Sequence, residues 1–239
     1  KQESLVYPVL GMHRSGTSLL ARILSEKDIC LGKKLNDSHS YGNSSGHYED
    51  RTVVSINKRF LSMHQGCWHR LPKHLKPKGV YKKILQMLNR LRVVRHVKRR
   101  SEEQVWSFKD PRTCITYPLW KRALQNMDVK IIGIFRHYDS VVSSLVNRDA
   151  MKPEKALDLW VQYNQYLLYH LKRASSYILI QYRDLVNKPD KISQILNSEV
   201  EGNQVKVKNL DKEREHAGFQ VQQESIPESI LAKLQDHAV

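Results

Sequence analysis

Residues 5–18 read Leu-Val-Tyr-Pro-Val-Leu-Gly-Met-His-Arg-Ser-Gly-Thr-Ser, a pattern that indicates the class of fold. The apolar run predicts a strand over 5–10, and the glycine-bounded turn leads into a predicted helix over 17–27. A helix that begins after such a turn offers unpaired backbone N–H groups and the positive end of its dipole to an anion. The stretch therefore predicts a phosphate-binding loop.

The spacing of this loop matches the Walker A pattern Gly-x-x-x-x-Gly-Lys-Ser/Thr at all defined positions but one. Gly11, Gly16 and Ser18 stand where the pattern requires them, but Thr17 replaces the lysine that contacts the β- and γ-phosphates. The cation lies earlier, at Arg14. A nucleoside triphosphatase needs that lysine, whereas a protein that holds a nucleotide without a γ-phosphate does not.

This loop resembles the 5′-phosphosulfate loop of sulfotransferases that use 3′-phosphoadenosine 5′-phosphosulfate (PAPS). The resemblance implies transfer of a sulfuryl group from PAPS to an acceptor hydroxyl, with release of 3′-phosphoadenosine 5′-phosphate (PAP) and without a metal. It also implies a single α/β domain of the P-loop type over 1–239, with a central parallel sheet flanked by helices. The residues that would hold the 5′-phosphosulfate are Arg14, Ser15, Gly16, Thr17 and Ser18.

The rest of the chain alternates between predicted strands and helices, which is typical of a parallel sheet covered by helices. Three further strands are predicted, over 105–108, 130–135 and 177–182. The predicted helices cover 51–64, 80–99, 114–125, 138–148, 153–174, 189–197 and 227–236. The helix over 80–99 is basic and amphipathic, with Ile84, Leu85, Leu88, Leu91 and Val94 on one side.

A second phosphate site is predicted where the apolar strand over 130–135 ends. Arg136 follows that strand, and Ser144 lies eight residues on, about two helical turns into the next helix. Arg148 lies one turn further along the same face. In the sulfotransferase resemblance, an arginine followed by a serine at this spacing binds the 3′-phosphate of PAPS, which implies that role for Arg136 and Ser144. Arg148 is a further candidate for cofactor binding because of its position on the same face.

The acceptor side is predicted around residues 46–51, Gly-His-Tyr-Glu-Asp-Arg, which resemble a Gly-x-x-Glu-Asp segment of small bacterial-type sulfotransferases. Glu49 is the candidate general base for the acceptor hydroxyl. His47 is an alternative base, and His13 is a further one. Asp50 is interpreted as the cap of the helix that follows.

Lys109 is the candidate cation for the reacting centre. It ends a short predicted strand and begins the segment Lys-Asp-Pro-Arg over 109–112, which recurs in relatives of this type. Open α/β sheets bind ligands at the carboxyl ends of their strands, so a lysine there is placed to offset negative charge on the transferring group.

Composition limits the compartment and the partners. The chain has 239 residues, a net charge of +16 and three separated cysteines. No stretch approaches the about 20 apolar residues that span a bilayer, so we expect no membrane segment here. The cysteines favour reduced thiols in a cytoplasmic protein, although the chain starts at Lys1 and leaves an upstream targeting segment open.

The acceptor and two rival functions stay open on the sequence alone. A carbohydrate or a small natural-product alcohol fits the resemblance, and the positive charge suits an anionic acceptor. The rivals are a P-loop kinase or nucleoside triphosphatase and a non-catalytic polyanion-binding module. Nucleic acid is not expected, since no basic surface is interleaved with aromatic residues, and nothing indicates the oligomeric state.

Two basic segments have weaker interpretations. The cluster over 92–100 either draws in an anionic acceptor or is a solvated helix end. In the tail, Lys212, Arg214 and His216 fall where many sulfotransferases fold a basic segment over the nucleotide.

Overall fold

The fold is built on a parallel β-sheet. A computed structural model describes residues 4–36, 46–75, 79–199 and 225–239. Within them the strands run in the order β2-β1-β4-β5, and the short β3 also pairs with β1. All pairings are parallel. The strands are β1 (Leu5–Leu10), β2 (Val105–Lys109), β3 (Asp128–Val129), β4 (Ile131–Phe135) and β5 (Tyr177–Gln181).

Helices connect the strands and cover the sheet, which confirms the predicted α/β class. Their bounds follow the sequence-based prediction within a few residues, and α7 is the helix that the prediction omitted. No helix in the described ranges is long and apolar enough to cross a membrane. The helices are α1 (Thr17–Glu26), α2 (Arg51–Met63), α3 (Val80–Arg100), α4 (Thr113–Lys121), α5 (Tyr138–Asp149), α6 (Pro153–Leu171), α7 (Tyr182–Asn187), α8 (Pro189–Glu199) and α9 (Ser225–Gln235).

Apolar residues cover both faces of the sheet, because successive side chains of a strand point to opposite sides. On one face, Tyr7 and Val9 pack in a cluster with Leu20 of α1. On the other face, Val6 and Leu10 join a larger cluster that includes residues of α2, α4, α5 and α6. The carboxyl ends of β1, β2 and β4 therefore meet at one edge of a sheet that is fixed from both sides.

The helix α3 is where sequence and structure differ most. Its extent matches the prediction, but the apolar side chains on its predicted apolar side, Ile84 and Leu88 among them, are largely exposed. The buried residues on the opposite face are Asn89, Val93, His96, Val97 and Arg100. Burial of polar groups is favourable only when they are hydrogen-bonded; Asn89 Nδ2, for example, donates to the Ile56 carbonyl oxygen (3.3 Å).

Candidate active site

The loop after β1 forms a tight turn that leads directly into α1. Arg14 and Gly16 both have positive φ angles, 68° and 90°, and Gly16 caps the N-terminus of α1. A Cβ atom at Gly16 would collide with the ring of Tyr182, and one at Gly11 would lie 2.6 Å from the Ile134 carbonyl oxygen. Glycine is therefore required at both positions, as the sequence predicted.

Ser15 is a buried residue of this loop. Its side chain is fully buried, and its hydroxyl has no hydrogen-bond partner among the described residues. A buried polar group without a partner is destabilising. This hydroxyl belongs to the loop that begins α1.

The two predicted phosphate sites adjoin. Arg14 Nε donates to Ser144 Oγ of α5 at 2.7 Å. Burial lowers the pKa of Arg14, and the nearby charges of Arg148 and Arg136 lower it further. Arg148 also forms an ion pair with Asp149 (2.7 Å). Three guanidinium groups thus lie close together with one described carboxylate beside them, which makes the region attractive to an anion.

Tyr182, the first residue of α7, links the two sites. Its ring lies against Gly16 of the loop. The guanidinium of Arg136 lies over the same ring, 4.5 Å from its centroid. The carbonyl of Arg136 accepts a hydrogen bond from Trp160 Nε1 of α6 (2.9 Å). Arg136 is therefore fixed through its backbone and its side chain at the end of β4.

Lys109 is the centre of a second group at the same edge of the sheet. Only 1% of its side chain is exposed. Its Nζ donates to Ser18 Oγ, to the His47 carbonyl oxygen and to Glu49 Oε1, each at 2.9 Å. Burial lowers the pKa of this lysine, and Glu49 opposes that shift. The side chains of Lys109, Ser18 and Glu49, each a predicted site residue, are thus in contact here.

The candidate bases lie around this group. The Glu49 carboxylate is buried beside Lys109, and only its Oε1 has a partner among the described residues. Burial lowers the pKa of His47. Burial also lowers the pKa of His13 well below its usual range, and its ring centroid lies 4.7 Å from that of Trp68. Both histidines are therefore neutral near pH 7.

His47 connects the two groups electrostatically. Its imidazole lies in the field of Glu49 and Lys109, and also in that of Arg148 and Arg14. The arginine-rich group and the lysine group therefore border the same region at the carboxyl edge of the sheet.

A buried network that the sequence did not reveal supports this edge. Asp110 Oδ1 accepts from Arg112 Nη1 (2.7 Å), and Asp110 Oδ2 accepts from Asn57 Nδ2 (2.9 Å). Asn57 Oδ1 in turn accepts from Thr116 Oγ1 (2.7 Å) and Trp120 Nε1 (2.8 Å). The network joins α2 and α4 to the end of β2, next to Lys109. Asn57 carries no local motif that would have identified it.

The predicted cap of α2 is confirmed. Asp50 Oδ1 accepts from the backbone N–H groups of Thr52 (2.7 Å) and Val53 (3.4 Å). The tail residues Lys212, Arg214 and His216 lie outside the described residues. In the described ranges, no three His, Cys, Asp or Glu side chains group so that they could hold a metal ion.

A model of the sulfotransferase family matches residues 8–197. The chain belongs to the sulfotransferase family. The matched range of the sulfotransferase contains the loop, Glu49, Lys109, Arg136 and Ser144. This assignment favours neither a P-loop kinase or nucleoside triphosphatase nor a non-catalytic polyanion-binding module.

Solved structures similar to this sulfotransferase have low sequence identity. The sulfotransferase domain of the Synechococcus PCC 7002 olefin synthase is 18% identical, with 82% of this chain and 72% of that chain covered and a TM-score of 0.48. The sulfotransferase domain of the curacin biosynthetic pathway is 16% identical, with coverages of 85% and 76% and a TM-score of 0.48. Sulfotransferase STF1 from Mycobacterium tuberculosis H37Rv is 12% identical, with coverages of 82% and 67% and a TM-score of 0.49. No curated protein shows a significant match.

Proposed function

We propose that this sulfotransferase transfers a sulfuryl group from PAPS to an acceptor hydroxyl and releases PAP. The observation that carries the proposal is the contact between Arg14 and Ser144, at 2.7 Å. It joins a loop suited to one phosphate to a helix suited to another. A nucleotide with phosphates at its 5′ and 3′ positions needs both.

The residues of the loop fit such a nucleotide. The buried Ser15 hydroxyl lacks a partner among the described residues, and Arg14 has a pKa lowered by burial and by two neighbouring arginines. A dianionic group would accept a hydrogen bond from the Ser15 hydroxyl and would favour the charged form of Arg14. We assign the 5′-phosphosulfate to Arg14 and the backbone of 15–18, and the 3′-phosphate to Arg136, Ser144 and Arg148.

When bound, PAPS supplies an activated sulfuryl group with PAP as its leaving group. The N–H groups at the start of α1 and the guanidinium of Arg14 then hold negative charge at the leaving side. Lys109 holds its ammonium 2.9 Å from Ser18 Oγ, where it offsets charge on the reacting group. We propose no metal in this step.

Glu49 is proposed to accept the proton of the acceptor hydroxyl through Oε2, because Oε1 is paired with Lys109. The ion pair fixes the carboxylate in place before the acceptor arrives. His47 remains the alternative base, since burial keeps its imidazole neutral. The acceptor is proposed to be a carbohydrate or a small alcohol, and an anionic one suits the net charge of +16.

The proposal is tested first by ligand-dependent thermal stability. PAP without metal, at about 100 times its dissociation constant, should stabilise the fold by about 2.7 kcal/mol. For a domain of this size that corresponds to a rise in Tm of roughly 5–10 °C. Stabilisation by ATP with magnesium, and none by PAP, would contradict the proposal and favour a P-loop kinase.

The second test measures transfer itself. The protein is incubated with PAPS labelled in the sulfuryl group and with a panel of glycans and small alcohols. Labelled product that depends on both Arg14 and Glu49 supports the proposal. Binding of PAP without transfer to any acceptor class in the panel would contradict the assigned acceptors.

A further inference from the structure

The outward face of α3 carries an exposed apolar surface, which we call the α3 stripe. Its members are 44–73% exposed. They recur at spacings of three and four residues, so they lie along one side of the helix. Contiguous exposed apolar surface of this kind marks a binding surface in soluble proteins. The stripe consists of Val80, Tyr81, Ile84, Met87, Leu88, Leu91 and Val94.

Exposed cations continue the stripe toward the C-terminus of α3. Lys98 lies seven residues after Leu91, and Arg95 lies seven after Leu88, which places each pair about two turns apart on one line. The helix contains no aspartate or glutamate. None of its exposed cations forms an ion pair with a described carboxylate. These cations are Lys83, Arg90, Arg92, Arg95, Lys98 and Arg99.

Neighbouring α2 adds to this basic end. A groove of about 370 Å³ lies between the two helices, and its lining includes Arg51 of α2 with Arg92, Arg95 and Arg99 of α3. Four arginines therefore line one groove beside the apolar surface. A partner for this face must be both apolar and negatively charged.

We propose that the α3 stripe binds the surface of an anionic lipid bilayer. The apolar side chains enter the boundary between headgroups and acyl chains, and the flanking cations contact the anionic headgroups. A basic amphipathic helix with this division of residues is typical of helices that lie in the plane of a membrane interface. The helix has 21 residues and so offers about 30 Å of contact.

Two other occupants are less compatible with the face. A second copy of the chain would bring its own cations against these, because the helix has no acidic residue to pair with them. An acidic protein would need an apolar groove complementary to one convex helix. A bilayer interface accepts a convex helix along its whole length and supplies the negative charge.

The test is co-sedimentation of the full chain with lipid vesicles. One set is phosphatidylcholine alone, and the other is phosphatidylcholine mixed with phosphatidylserine. Binding to the mixed vesicles that weakens as salt is added, with little binding to the neutral vesicles, is the expected result. Absence of binding to the mixed vesicles would overturn the proposal.

Variants separate the apolar and ionic contributions. The triple change Ile84→Ser, Leu88→Ser and Leu91→Ser should weaken binding more than roughly tenfold, because each apolar side chain would lose its burial in the interface. Arg95→Gln and Lys98→Gln should each weaken it about fivefold. The matched control is Tyr169→Ser on α6, an equally exposed (50%) apolar residue away from the stripe, which should bind like the unmodified chain.

Other outcomes count against the lipid surface. Light scattering that shows a dimer dispersed by the triple serine change would assign the stripe to a second copy. Vesicle binding equal in all variants would also overturn the proposal. Thermal stabilisation by PAP is measured in parallel, and we expect it to be unchanged in every variant, so loss of folding is distinguished from loss of membrane binding.

Discussion

Removal of the buried ammonium at Lys109 should destabilise the fold strongly. In Lys109→Met, the Glu49 carboxylate keeps its burial but loses its partner, and three hydrogen bonds of 2.9 Å disappear. The side chains of Lys109 and Glu49 are only 1% and 10% exposed. Water can therefore do little to solvate the Glu49 carboxylate once the ammonium is gone. Loss of one member of a buried ion pair costs about 3–5 kcal/mol. With about 2–4 °C per kcal/mol at this chain length, Tm should fall by roughly 6–20 °C.

A double-mutant cycle distinguishes the ion pair from general loss of packing. Glu49→Gln removes the unpaired charge, so the double variant should recover part of the stability lost in Lys109→Met. Free energies of unfolding for the four proteins are obtained from urea denaturation. The control is Lys188→Met, which breaks an exposed pair with Asp184 (3.2 Å) and should cost at most about 1 kcal/mol. A coupling energy near zero, or equal losses in both lysine variants, would refute the reasoning.

Three further predictions concern the nucleotide, the base and acid stability. Glu49→Gln should keep PAP binding, measured by calorimetry, and lose sulfuryl transfer; retained turnover would move the base to His47 or His13. Arg136→Ala should weaken the binding of PAP far more than the binding of adenosine 5′-phosphosulfate, which lacks the 3′-phosphate. Equal weakening of both would reject the role assigned to Arg136. Burial lowers the pKa of His170 from 6.5 to about 4, so the unfolded chain takes up this proton first and stability is lost as pH falls from 6.5 to 4. In His170→Gln, the free energy of unfolding should therefore decrease over this pH range by up to about 3 kcal/mol less than in the unmodified chain. An equal decrease in both proteins, measured by urea denaturation at each pH, would contradict this prediction.

Local sequence signals predicted the parts of the fold that depend on near neighbours. The strand over 5–10, the turn and the start of α1 follow from apolar residues and glycines within fourteen positions. The cap of α2 follows from Asp50, whose carboxylate reaches backbone groups two and three residues away. In these cases the interacting groups are close together in the chain, so local composition and spacing are enough to predict the structure.

The buried face of α3 shows why the rest could not be predicted. Periodicity predicted that the side of the helix with Ile84 and Leu88 would be buried. In the structure the opposite side is buried and includes Arg100, whose guanidinium donates to the Cys30 carbonyl oxygen (2.6 Å) and pairs with Glu103 (3.0 Å). Cys30 lies 70 residues from Arg100 in the chain. A helical pattern cannot reveal such a partner.

The candidate site divides in the same way. The residues expected to bind phosphate were predicted from their motifs, and their role stays a prediction. The contact of Arg14 with Ser144 spans 130 residues, and the support from Asn57 spans 53 residues to Asp110. The sequence therefore indicated the parts of the site, and the packing of α2 and α5 against the sheet determines how they meet.

The position of the Tyr182 ring has a consequence for how much of the surrounding chain can vary. Because the ring touches the loop at Gly16 and carries the guanidinium of Arg136 on its face, a smaller side chain at this position would remove a contact from both segments at once. Variation at this one position of α7 is therefore limited by two segments that lie far apart in the chain.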